Sequence, residues 1–414
     1  AFVSVVASNS RGGYSATVAY DATNGDVLWR QPFSDASAAV IWASTVSADG
    51  TLVYVNGTTQ TIVNGVGQIA ATTVAYDAST GAVRWTATVP GDVGSGVAAA
   101  GGRVFTAGAE YNNSSLKAVD MLAVDAVSGA PKGSSSAAIG GDDPLGLVAS
   151  PDGSHAFFGY QDVFAFADGK QYETMALVAF AFHDTTASEA WKADYIGPNA
   201  DSPTFSGYSV PWCWQPLAVA PDGSRVYMTA ESSDGQFGAA GTGFSTAAFD
   251  AASGAQLWNQ DVNANTPVFY IGGGPVVTVD PQSGDVYVGG EGGQAELMTL
   301  FAYKPADASV VSTSTYTADV GAAHGLSVAP DATQVFVSAE LGTPDTSTHS
   351  VNYDIAALAY PTGGTPSNAL PDVPSVPLAV LLAAGVVRAI RWRVRLRGPC
   401  PTFAAHSSRR LPAR

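Results

Sequence analysis

One short pattern returns along this chain at a near-constant interval, and it limits the possible folds more than any other feature. Ala19-Tyr20-Asp21-Ala22-Thr23-Asn24-Gly25 leads to Trp29, Ala75-Tyr76-Asp77-Ala78-Ser79-Thr80-Gly81 leads to Trp85, and Ala248-Phe249-Asp250-Ala251-Ala252-Ser253-Gly254 leads to Trp258. Degenerate copies stand at Val124, Phe182, Tyr303 and Tyr360, so the marked position recurs seven times with a mean spacing of about 57 residues. Between these marks lies a second pattern of apolar strand, turn and apolar strand. Val148-Ala149-Ser150-Pro151-Asp152-Gly153 before Phe157-Phe158 and Val219-Ala220-Pro221-Asp222-Gly223 before Val226-Tyr227-Met228 are examples. Proline presets φ for such a turn, aspartate caps it and glycine supplies positive φ. Each unit therefore predicts four strands: one before the Pro-Asp-Gly turn, one after it, one ending at Tyr-Asp and one carrying the Trp.

Four strands per unit at this period predict an all-β fold, a seven-bladed β-propeller of four-stranded antiparallel blades. The first and last blades are incomplete: the first unit has no strand before its turn, and the last has no clear Trp strand. An upstream outer strand and inner strand are expected to complete the last and first blades, with a signal peptide ahead of them. No sustained 3.6-residue periodicity argues for a helical array.

Ala-x-Asp-x-x-Thr-Gly-x-x-x-Trp resembles the tryptophan-docking motif of quinoprotein-type propellers, the PQQ-like repeat superfamily, and the resemblance spans about residues 1–360. It implies structural roles for Asp21, Gly25, Trp29, Asp77, Gly81, Trp85, Asp250, Gly254 and Trp258, with the Trp wedged between blades and Asp and Gly setting the turn. Quinoprotein dehydrogenases of that superfamily have eight blades, a vicinal cysteine pair and acidic calcium ligands. This chain has seven units and only Cys213 and Cys400, in unrelated contexts. The resemblance thus supports the scaffold and not the quinone; no cofactor is predicted, with Ca2+ as the one ion the acidic residues would suit.

The formal net charge is −17, unevenly placed. Eight of the 18 basic residues are arginines between Arg388 and Arg414, where no acid occurs. The acidic remainder repels nucleic acid and anionic membrane surfaces. Residues 361–375 read as a Pro/Gly/Ser-rich linker between the propeller (1–360) and a segment, 376–397, in which an apolar run meets the arginine cluster. That arrangement predicts a short hydrophobic helix acting as a membrane anchor with its positive end inside, and it is similar to C-terminal sorting signals of bacterial surface proteins. Leu370-Pro371-Asp372-Val373-Pro374 lacks the Thr-Gly of a sortase box. Residues 398–414 read as a disordered tail. The expectation is an extracellular, surface-displayed monomer.

Counting five residues from the start of the second strand of a unit reaches Gln161, Glu231, Glu291 and Glu340, and Glu110 lies one position further along its own. Equivalent positions in successive blades lie on one circle, so these residues are expected to form an acidic mouth that holds a cation or a cationic ligand. Trp212 and Trp214, flanking Cys213, suggest a stacking platform, and His324 a ligand or base near the same mouth. His155 and His183 fall within strand patterns. Asn56, Asn112 and Asn113 fit glycosylation triplets. No nucleophile elbow, zincin motif or phosphate loop is present, and no catalytic residue is assigned. The sequence favours a non-catalytic propeller that binds a ligand or protein partner on its acidic face. The alternative is a secreted enzyme: a metal-assisted hydrolase or lactonase, or a degenerate quinoprotein oxidoreductase.

Overall fold

The structure, a computed structural model, describes residues 2–9, 12–21, 24, 26–34, 38–90, 92–112, 115–141, 143–165, 171–195, 216–232, 243–263, 275–291, 297–317, 320–329, 331–345 and 350–362. They form seven antiparallel sheets that follow one another in sequence. The second sheet shows the plan: Ala38–Val46, Leu52–Val63, Val66–Asp77 and Val83–Pro90, each antiparallel to the next. Five sheets have four strands, and the first and seventh have three. In the first sheet (Phe2–Asn9, Gly12–Tyr20, Val27–Pro32) the outer strand carries Trp29, so the inner strand is the one lacking among the described residues. The seventh (Val320–Val328, Gln334–Asp345, Ser350–Pro361) starts with an inner strand and ends at the third. This is the division the repeat predicts. Pro361, the expected first linker residue, ends the last strand; beyond Thr362 the linker, the C-terminal hydrophobic helix and the tail lie outside the described residues, as does Gly25. Among the described residues no helix is long and apolar enough to cross a membrane.

The inner strands Ala38–Val46, Val93–Ala100, Pro144–Ala149, Leu217–Val219, Val276–Val279 and Val320–Val328 touch in succession, and strands of the first sheet meet Ala38–Val46. The sheets are therefore blades packed face to face, and the protein is a β-propeller. Its core is a series of layers, one per seam. Phe105, Phe158 and Phe180 fill the third-to-fourth seam, and Met228, Phe249 and Leu177 the fourth-to-fifth. A strand covered on both faces needs apolar residues at consecutive positions, which is why Leu52 to Val55 are buried without alternation.

The turn between the third and outer strands positions each seam. Asp77 Oδ1 accepts the N–H groups of Ser79 and Thr80, and the Gly81 N–H donates to the Asp77 carbonyl. Asp125 and Asp250 do the same in their units. Bonds to the ionised carboxylates, led by the Ser79 hydroxyl at Asp77, the Ser253 hydroxyl at Asp250 and the Ser128 N–H at Asp125, hold all three carboxyls below the usual carboxylate range. Gly81, Gly129 and Gly254 have φ of +73°, +70° and +74°. A Cβ on Gly129 would stand 2.6 Å from the Trp85 ring, so glycine is required twice over, by backbone and by space.

Onto each such turn falls the tryptophan of the preceding blade. The indole N–H groups of Trp29, Trp85, Trp191 and Trp258 donate to the carbonyls of Ala78, Ala126, Ala251 and Pro305 at 2.9, 3.1, 3.0 and 2.9 Å. The rings of Trp85, Trp191 and Trp258 also pack against Tyr54, Phe157 and Tyr227 of their own blades, at 5.6, 5.8 and 5.8 Å, and that of Trp29 against Tyr76 of the next blade at 6.1 Å. Between the third and fourth sheets this arrangement is replaced. Gly133 pairs with Ala123 where Trp85 pairs with Ala75, and the Asp and Gly of the fourth turn are lost. Arg103, at the start of its strand, takes over. Its Nη1 donates to the carbonyls of Gly153 and Phe182 at 3.0 and 3.3 Å, and its Nη2 to that of Asp184 at 3.3 Å. Asp184 is the counterpart of Ala126, so a guanidinium satisfies the carbonyl that an indole satisfies elsewhere. Phe105 against Phe182, at 5.0 Å, fills the seam beside it.

Candidate functional site

The connections from second to third strands and from outer to inner strands emerge at one end of the blades, and the predicted acidic mouth lies at this end. At the second and third blades it is built from named side chains. Asp92 immediately precedes the inner strand Val93–Ala100. Glu110 lies on Arg103–Asn112 and Asp120 on Ser115–Asp125. Asp120 pairs in register with Gly108, and a Cβ on Gly108 would stand 2.6 Å from Asp92 Oδ2. The missing side chain at Gly108 is what lets the Asp92 carboxyl lie across the sheet towards Asp120.

Asp92 is 3% exposed, and no N–H or hydroxyl donor reaches its Oδ2 among the described residues; the group within hydrogen-bonding reach is the Asp120 carboxyl, which can share a proton with it but, once both are ionised, gives it no donor. Burial, reinforced by the Asp120 and Glu110 carboxylates, raises its pKa from the ordinary carboxylate range to about 7. Glu110 accepts a hydrogen bond from Lys117 at 2.6 Å, and the ammonium of Lys117 is raised by that bond. The seam below the acids is polar. Asn56 Nδ2 donates to Thr73 Oγ1 and Thr106 Oγ1 at 3.0 and 2.9 Å, and its Oδ1 accepts the Gly96 N–H at 3.2 Å. Asn56 is fully buried, so its glycosylation triplet is a structural latch between the second and third blades and not an acceptor.

The other predicted site residues fall as follows. Gln161 lies at the equivalent height of the fourth blade, 7% exposed, and its backbone N–H donates to the Asp143 carbonyl. Strand alternation separates it from Glu110. Thr106, two turns of the pleat before Glu110, meets Asn56 of the preceding blade, whereas Phe157, on Gln161's face, packs with the following one. The residue that shares the register of Gln161 is Ala109, buried. Glu231, Glu291 and Glu340 are paired with Phe244, Met298 and Ile355 on Arg225–Ser232, Val286–Glu291 and Gln334–Asp345. His324 is on Val320–Val328. The side chains of these four lie outside the described residues, as do Trp212, Cys213 and Trp214 entirely. Asp92 and Asp120 escaped the sequence reading. Their signal is the glycine at 108, across which the two are brought together. Among the described residues, no three His, Cys, Asp or Glu side chains are grouped to hold a metal ion.

At the opposite end, a cavity of about 260 Å3 opens beside the arginine seam, lined by Arg103, Asp152, Ser154, Phe182, His183 and Asp184 among others. Its polar groups are largely committed. Arg103 holds three carbonyls, and Asp152 accepts from Ser150 and Ser154. His155 Nδ1 meets Ser154 Oγ at 2.8 Å, with its ring stacked on Phe157. Burial lowers the pKa of this imidazole. The acidic end is the better candidate.

The fold and the repeat define an all-β propeller. Residues 14–132 match the family described as outer membrane protein assembly factor BamB, whose repeat is of the PQQ-like kind. Among solved structures, the WD40 repeats of RRP9 are 10% identical over 81% of this chain and 85% of theirs, with a TM-score of 0.45. A candidate 6-phosphogluconolactonase of Bacteroides uniformis is 16% identical over 83% of this chain and 91% of its own, with a TM-score of 0.40. A europium-containing methanol dehydrogenase is 13% identical over 82% of this chain and 73% of its own, also at 0.40. None of these likenesses bears on activity. No curated protein matches the chain.

Proposed function

We propose that this chain is a non-catalytic propeller of a cell envelope that binds a cationic group of a protein partner at its acidic end. The observation that carries the reading is Asp92: a buried carboxyl that faces the carboxyl of Asp120 and no cation, beside Glu110, which among the described residues has Lys117 as its salt-bridge partner. A carboxyl held in this way is costly to ionise alone and becomes favourable when a cation arrives. Backbone-rigid blades support it from three neighbouring strands, which suits recognition. The match of residues 14–132 to an envelope assembly factor supports the location.

The test uses a fluorescent octalysine peptide and the full chain at low ionic strength. Binding is expected, weakening with salt, and falling at least tenfold in Asp92→Asn/Asp120→Asn. The same loss in Asp49→Asn/Asp222→Asn, which changes turn acids at the other end, would reduce the effect to net charge and contradict the reading. Calcium added as a competitor asks whether the same carboxylates prefer an ion: displacement of the peptide at sub-millimolar calcium would assign the site to the metal instead.

A further inference from the structure

The second blade carries an extension that the repeat does not require. Its second and third strands, Leu52–Val63 and Val66–Asp77, are each 12 residues long and remain paired to the tip, Val63 with Val66. The inner strand stops pairing at Gln60 and the outer strand at Ala70. Among the described residues, the hairpin from Gln60 to Ile69 therefore runs on beyond both neighbouring strands, over about 10 Å at 3.3 Å per residue. Its turn is Asn64-Gly65, both at positive φ (53° and 79°), the two-residue connection that fixes register most firmly.

Three properties set this finger apart. First, it is aliphatic and exposed: Ile62 is 67%, Val66 64%, Val63 43% and Ile69 38% exposed. Second, no charged residue or histidine occurs anywhere between Asp49 and Asp77, in a chain of net charge −17. Third, neither backbone edge of residues 61–68 is paired among the described residues, and within them there is no proline, lysine or bulge. Natural edges are ordinarily blunted by those devices. With a two-residue turn the Val63–Val66 pair is hydrogen-bonded inward, so the N–H and C=O groups of Ile62 and Gly67 point outward along the two edges.

We propose that the Gln60–Ile69 hairpin is a docking finger for an extended, uncharged peptide segment of a partner protein, which adds as a strand along one of its edges. The open edges call for backbone partners, which a lipid surface does not supply. The absence of charge selects a segment of alternating β-branched or aromatic residues. Four aliphatic side chains offer too little area for a stable dimer of about 1,600 Å2 buried on their own. The finger rises from the same end as the Asp92 group but shares no residue with it, so each stands or falls separately.

A random ten-residue peptide library is selected against the full chain, with counter-selection on Ile62→Lys/Val66→Lys. Enriched peptides are expected to alternate β-branched or aromatic residues with few charges. Binding should fall at least tenfold in Ile62→Lys/Val66→Lys, and on N-methylation of one alternate set of peptide amides but not of the other, since only one set of N–H groups meets the edge. A second variant, with Ile62–Gly67 replaced by Asn-Gly so that the hydrogen-bonded pair Thr61–Gln68 flanks the new turn, should lose binding with its melting temperature unchanged. Enrichment of charge-rich peptides, indifference to N-methylation, or no peptide distinguishing wild type from both variants would overturn the proposal. So would a concentration-dependent dimer of the wild type that both variants abolish, which would make a second copy the occupant. Octalysine binding is expected to be unaffected by both variants.

Discussion

Four seams of this propeller close with an indole and one with a guanidinium. Between the first and second, second and third, fourth and fifth, and fifth and sixth blades, a tryptophan N–H reaches a turn carbonyl of the next blade. Between the third and fourth, Arg103 reaches the equivalent carbonyl of Asp184 and two others, while Gly133 occupies the tryptophan's register. What a seam demands is thus a donor for an exposed-edge carbonyl and a flat body above it. The indole supplies both in one side chain. The guanidinium supplies three donors but less apolar cover, and a cavity opens beside it.

That comparison is broken most severely by removing an indole. Trp85→Ala is expected to cost about 3–5 kcal/mol, the range for a large buried aromatic, read as a shift in the denaturation midpoint. Trp85→Phe, which keeps the body and loses the donor, should cost about 1 kcal/mol beyond its lost area. Arg103→Ala comes next, at about 2–3 kcal/mol, because three carbonyls lose a charged donor. Arg103→Lys should recover less than half of this, since one ammonium does not span the fork. A loss under about 0.5 kcal/mol for Arg103→Ala would mean that Phe105 and Phe182 alone hold that seam.

Smaller changes sharpen the comparison at the turn itself. Gly254→Ala should cost about 2 kcal/mol, from positive φ and from a Cβ 2.6 Å from Trp191. The fifth-to-sixth seam already carries the opposite choice: Ala308, at φ +58°, stands in the glycine's place beneath Trp258. Ala308→Gly is expected to gain about 0.5 kcal/mol, the relief of the strained φ exceeding the lost methyl.

The second-to-third seam adds a pH dependence. The Asp92 carboxyl is raised in the folded state, so its contribution is present below the unfolded value near 4 and is lost as pH rises through about 7. Denaturant titrations should show Asp92→Asn without that decline, and more stable than wild type by about 1 kcal/mol at pH 8. The turn aspartates act in the opposite sense. Asp49 and Asp152 are lowered to about 2 by Ser and Thr donors and backbone N–H groups, so their contribution is lost only as pH falls below the carboxylate range.

The blades were legible because each carries its own punctuation. Pro-Asp-Gly and Tyr-Asp-x-x-x-Gly turns are local, and their residue requirements follow from φ and from one side-chain acceptor. The two incomplete sheets could be read the same way. Arg103 could not, since its partners Gly153, Phe182 and Asp184 lie 50 or more residues away and no local rule connects them. The acidic end was half legible. Counting along strands found Glu110 and Gln161, but a one-residue offset sent them to opposite faces. The pairing of Asp92 with Asp120 depends on an absent side chain at Gly108, which registers in sequence only as one glycine among 45. The finger hid for a different reason: its long strands continue the blade's pattern past the point where the neighbouring strands end.

Everything about the seams rests on four blades being latched to the next by one indole N–H and the third by the Arg103 guanidinium. Exchange of the tryptophan indole protons into D2O, with signals assigned by single Trp→Phe variants, reads this directly. Trp29, Trp85, Trp191 and Trp258 are expected to remain protected long after fully exposed indoles have exchanged, and Arg103→Ala should accelerate Trp85 and Trp191 on either side of its seam more than Trp29. Exchange of Trp85 and Trp258 at the rate of free indole would contradict the latch and the blade-to-blade packing built on it.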